Sequence, residues 1–120
     1  MIDDLKVSFE IEGYVFQNGK PYFFTETEQK IFESVAGDFQ RFHPVCNFMI
    51  EGKTFPITSD IDLAVARALD NINLGLDALK IVSNREDLEL KCDSRLYDTL
   101  KINEQDRENA GTHVHIDYQP

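Results

Sequence analysis

Residues 5–24 read LKVSFEIEGYVFQNGKPYFF, and their pattern sets the fold class. Leu5, Val7, Phe9, Ile11 and Val15 fall on one face of an extended chain, with Lys6, Ser8, Glu10 and Glu12 on the other. A side-chain period of two is that of a half-buried strand, dry on one face and wet on the other. Gly13 interrupts the dry row of a segment longer than most strands, so a bulge or bend is expected there. Asn18-Gly19 then supplies the positive φ angles of a tight hairpin turn, which predicts a returning strand near residues 21–24.

Thr25 followed by Glu28 reads as a capping box, and Ile31, Phe32, Val35, Ala36, Phe39 and Phe42 recur at helical spacing behind it. Lys30, Glu33, Gly37, Gln40 and Arg41 lie outside that apolar arc. His43-Pro44 is expected to end the helix, because proline pushes the residue before it out of the α region. Residues 45–50 and 54–57, joined by Glu51-Gly52-Lys53, read as a second hairpin with Pro56 marking an edge strand.

Ser59 and Asp60 offer caps for a second helix, whose apolar row is Ile61, Val65, Ala68, Leu69, Ile72, Leu76 and Leu79. Gly75 lies beside this row as a close-packing glycine, and Asn84 closes the helix. A further row, Leu63, Leu74 and Ile81, runs on roughly the opposite side and leaves Asp62, Asp70, Asn73, Asp77 and Lys80 as a narrow polar stripe. Two uses fit such a helix. It is either a central helix covered on two sides, or the further row is a partner or dimer surface.

Leu88, Leu90 and Cys92 alternate as in a strand, residues 96–102 read as a strand or a short helix, and residues 103–111 as a polar loop. Val114, Ile116 and Tyr118 alternate with His113, His115 and Asp117 in a last strand. With no repeat or linker, residues 1–120 read as one α+β domain: an antiparallel β-sheet of hairpins with two main α-helices packed against it.

The 22 Asp and Glu against 12 Lys and Arg give a formal charge of -10. This disfavours direct binding to nucleic acid or an anionic membrane and favours a basic protein partner or a small molecule, although solubility alone also explains acidity. Cys46 and Cys92 form no metal or redox spacing and read as buried thiols. The acidic start Met1-Ile-Asp-Asp lacks an apolar targeting core, and no run approaches the roughly 18 apolar residues of a membrane helix. A reducing cytoplasm is the expected compartment.

His113, His115 and Asp117 share one face of their strand and are the candidate metal ligands, with Zn²⁺ the suited ion and His43 or a carboxylate from a neighbouring strand completing the set. The plainer reading is a solvent-facing polar row, which leaves the protein without a cofactor. Asp62, Asp70, Asp77, Glu10 and Glu12 are the candidate partner-binding residues, within a wider acidic set that includes Asp3, Asp4 and Asp60. Structural uses compete: Asp60 and Asp62 complement the helix dipole, and Glu10 and Glu12 are the wet face of the first strand. Motifs for nucleophilic catalysis, phosphate loops, zinc proteases and EF-hands are lacking, so an enzyme is not expected. The aromatic run Tyr22-Phe23-Phe24, with Phe39 and Phe42, reads as core.

The ending Gly111-Thr112-His113-Val114-His115-Ile116-Asp117-Tyr118-Gln119-Pro120 resembles the terminal H-x-H-hydrophobic-Asp/Glu strand of some small bacterial immunity proteins of polymorphic-toxin systems. The resemblance implies a cytosolic α+β protein that binds and blocks a toxin domain, often a nuclease, without being an enzyme. Three other readings stand beside it. One is a nucleic-acid mimic that inhibits a host or phage enzyme. Another is a small metal-binding protein or hydrolase using the HxHxD strand, and the last a homodimer formed through Leu63, Leu74 and Ile81.

Overall fold

The computed structural model describes residues 5–38 and 40–91, and the backbone of residues 112–118. Its spine is β1 (Leu5–Gln17). Asn18 and Gly19, at φ 52° and 76°, turn the chain into β2 (Lys20–Pro21), which pairs Gln17 with Lys20 and Phe16 with Pro21. β2 stops short of the expected residues 21–24: Tyr22 N–H still donates to Val15 O at 2.9 Å, but Phe24 N–H turns to Asn47 O.

The other strands are β3 (Phe42–Cys46), β4 (Met49–Lys53), β5 (Leu88–Lys91) and β6 (Thr112–Tyr118). Glu10 and Ile11 pair with β4 and with β6, and Tyr14 pairs with β4 and with β5. A strand residue has only two lateral neighbours, so β6 and β5 follow one another along one side of β1, with β4 and β2 along the other. β3 lies beyond β4, and all pairings are antiparallel. Serving two strands on each side accounts for the length of β1. The pairing with β4 runs unbroken through Gly13↔Ile50, so the bulge expected at Gly13 does not form, and the register shift falls in β3 between Pro44 and Cys46.

Two helices cover one face, as the α+β reading requires. In α1 (Glu26–Ala36) the capping box forms in full: Glu28 N–H donates to Thr25 Oγ1 at 3.1 Å and Thr25 N–H to Glu28 Oε1 at 2.8 Å. The helix ends at Ala36, where Gly37 adopts φ 68°, and not at His43-Pro44. Glycine takes that positive φ without the penalty a side chain would bring. Phe42 and His43 belong to β3, so the helical recurrence of apolar residues past Gly37 is coincidental.

The second hairpin is also displaced. Its strands are β3 and β4 joined at Asn47 and Phe48, and Glu51-Gly52-Lys53 is strand. Gly52 serves close approach instead of a turn, because the backbone of Ile72 occupies the place a Cβ would take. Pro56 follows a cis peptide bond in a bend outside the strands.

The second helix, α2 (Ile61–Ser83), starts where expected, with Leu63 N–H donating to Asp60 Oδ1 at 3.2 Å. It closes at Asn84, which takes the left-handed conformation. Thr54 Oγ1 donates to Ala64 O at 2.7 Å and accepts from Phe9 N–H at 3.0 Å, tying α2 to β1 through one hydroxyl. Asn71 Nδ2 donates to Lys53 O at 2.7 Å. Gly75 packs against the Phe42 side chain, as its place beside the apolar row implied.

The main core, between helices and sheet, contains Val15, Phe24, Phe32, Phe42, Ile50, Ile72, Leu79 and Leu88. A second cluster on the opposite face joins Tyr14, Phe16, Phe48 and Met49, with the Tyr14 and Phe48 rings stacked at 6.0 Å. From residue 12 to residue 16, β1 is therefore buried on both faces. Phe39, Cys92, the segments 96–102 and 103–111, and the acidic Asp3 and Asp4 lie outside the described residues.

Candidate functional site

The outer face of α2 carries three of the five acidic residues singled out from the sequence. Asp62, Asp70 and Asp77 are exposed there, within one arc of the helix. Beside them Leu63, Leu74 and Ile81 are 40%, 44% and 81% exposed. Among the described residues α2 is therefore covered on one side only, and its further apolar row faces outward. Large apolar side chains grouped on a surface mark an interaction site more often than scattered ones do.

The apolar row borders a groove between the two helices. Its volume is about 330 Å³, and it is lined by Val35, Phe42, Leu74, Asp77, Ala78 and Ile81. Val35 is exposed because the apolar arc of α1 is wider than the strip the core covers, Phe32 being the one α1 residue fully inside. Asp77 gives this apolar groove a negative rim.

Glu10 and Glu12 lie elsewhere, on the face of the sheet turned away from the helices. Glu10 is half-buried. Glu12 is only 5% exposed and stands opposite Glu51, itself 6% exposed, across the β1–β4 pairing. Burial is the largest influence on Glu12, and a hydrogen bond with Glu51, the charge of Glu51 and the charge of Glu10 act in the same direction, pushing its pKa up from 4.5 to about 8. Lys53 Nζ lies 3.8 Å and His43 Nε2 3.6 Å from Glu51 Oε1. The Lys53 cation thus flanks the Glu51 side of the pair, and Glu12, with its raised pKa, holds a proton at neutral pH.

Alternation alone hid this pair. It assigns Glu12 to the wet row of a strand and cannot reveal that the second face is covered as well. Glu51 sits in Glu51-Gly52-Lys53, whose composition is that of a turn and conceals its place in a strand.

Backbone pairing sets His113 against Glu10, His115 against Ser8 and Asp117 against Lys6, and their side chains lie outside the described residues. β3 and β6 are separated by β4 and β1, three strand spacings or about 14 Å, which leaves His43 too far away to complete a set with them. Among the described residues no group of three or more His, Cys, Asp and Glu is placed to hold a metal ion. Likewise, no helix among them is long and apolar enough to cross a membrane.

No family model matches the chain, nor does any curated protein or solved structure.

Proposed function

We propose that this chain is a small acidic binding protein of the immunity or antitoxin type, which neutralises a basic toxin or nuclease domain by protein-protein binding. The observation that carries the reading is the outer face of α2, where Asp62, Asp70 and Asp77 run beside the exposed Leu63, Leu74 and Ile81. Apolar side chains anchor an interface, and a rim of one charge sign selects a partner of the other and speeds their encounter. The formal charge of -10 favours the same partner over the whole surface. A reducing cytoplasm belongs to this reading, as the setting in which a thiol such as Cys46 persists.

The test is functional. A basic protein recovered with this chain is assayed for its own activity, nuclease activity first, with the chain added in increasing amounts. Stoichiometric inhibition supports the reading. Full activity at saturating complex overturns it.

A further inference from the structure

Four residues of α2 follow one another at spacings of four, three and four: Asp70, Leu74, Asp77 and Ile81. Alternating steps of three and four residues keep side chains on one line along a helix, the line along which helices pack against each other. Here the line alternates acidic and apolar. It borders the groove whose walls are Val35 on α1 and Leu74, Ala78 and Ile81 on α2, with Phe42 lining it as well. From Asp70 to Ile81 the line is about 16 Å long, roughly three helical turns.

We infer that the groove between α1 and α2 seats an amphipathic cationic helix of the partner, its apolar residues entering beside Leu74 and Ile81 and its Lys or Arg residues meeting Asp70 and Asp77. The inference rests on the reading of this chain as a binder of basic proteins, and it names the element that is bound. Charge decides the occupant. A second copy of α2 laid antiparallel along this line would set Asp70 level with Ile81 and Asp77 level with Leu74, with Lys80 the one cation of each stripe against its three aspartates, so carboxylates would be buried without matching charge. A helix with Lys or Arg at those levels pairs them instead. Groove-bound helices are held through apolar anchors at spacings of three, four and seven, the spacing this line offers.

The chain contains no Trp, so a single Trp on a peptide is an unmixed fluorescence reporter. The probe is a Leu/Lys model helix of about five turns with Trp on its apolar face, long enough for helix formation to be favourable on docking. A scrambled peptide of the same composition serves as control. The helix is expected to bind at least about tenfold more tightly than the scramble, and Leu74→Ala with Ile81→Ala to weaken it about tenfold. Asp70→Asn with Asp77→Asn is expected to weaken binding several-fold at low salt and to flatten its salt dependence. Both pairs are exposed, and unchanged thermal melting verifies that the variants fold.

Equal binding of the scramble, or indifference to the Leu74 and Ile81 substitutions, overturns the groove while leaving the acidic-face reading intact. Failure of both peptides to bind also overturns the groove, and the inhibition assay judges the wider reading separately. A dimer in sedimentation that Ile81→Ser dissociates overturns the cationic helix in favour of a second copy.

Discussion

Glu12 and Glu51 face each other across β1 and β4, both nearly inaccessible to water, on the side of the sheet that the helices do not cover. Two carboxyl groups so placed do not readily both ionise, because burial penalises each charge and proximity penalises the second. The outcome is a protonated Glu12 at neutral pH, with a pKa of about 8. The pair is a titrating element inside the sheet, separate from the acidic face of α2.

Stability should therefore depend on pH in a defined window. The folded chain holds a proton on Glu12 that the unfolded chain releases near pH 4.5. Its contribution is complete below pH 4.5, is lost as pH rises, and levels off above about 8. The slope within the window is at most about 1.4 kcal/mol per pH unit for one proton. Denaturant unfolding from pH 4.5 to 9 should show this decline, and Glu12→Gln, which keeps a neutral hydrogen-bonding group, should abolish it.

Glu28 behaves in the opposite sense. Burial raises its pKa, but the hydrogen bonds from Thr25 and from the Tyr22 hydroxyl, with the charge of Arg85, outweigh burial and hold it below the usual range. Tyr22 Oη lies 2.7 Å from each Glu28 carboxylate oxygen. Stability from this group is present at neutral pH and is lost as pH falls through the lowered pKa. Thr25→Ala removes the cap and should cost about 1 kcal/mol at pH 7 in denaturant unfolding.

Gly52→Ala should be the most damaging small substitution. The obstructing atoms are the backbone of Ile72 in the middle of α2, which no rotamer change can move. A loss of at least about 2 kcal/mol is expected from forced separation of β4 and α2. Gly75→Ala meets Phe42 Cβ and Cγ at 3.0 Å, a looser approach than the one at Gly52, and should cost less. Unfolding curves for the two variants check the order.

Ile81→Ser should leave the fold unaffected. The side chain is 81% exposed, so a change within about 0.5 kcal/mol is expected in unfolding experiments. Loss of partner binding without loss of stability would separate a surface role from a packing role at this position.

Local chemistry made much of the fold legible. Asn18-Gly19, the Thr25–Glu28 box, Asp60 and Asn84 each act through their own backbone geometry, and each marks the boundary its sequence context implied. Where a residue answers to something distant, local sequence does not show it. Gly52 looks like a turn glycine until Ile72 is brought against it, and Gly37 looks like a helix residue because Phe42 happens to continue the apolar spacing. The same limit governed the acidic residues. Asp62, Asp70 and Asp77 share a helix face through their spacing alone, whereas the partnership of Glu12 and Glu51 depends on a strand register that neither local sequence encodes.

The most direct test of the acidic-face account is affinity capture with the tagged wild-type protein and with the Asp62→Asn, Asp70→Asn, Asp77→Asn triple variant, at low and at moderate salt, followed by mass spectrometry. One dominant basic protein, weakened by salt and absent from the triple-variant capture, is the expected result. The same captured proteins from both forms, unaffected by salt, would contradict the account.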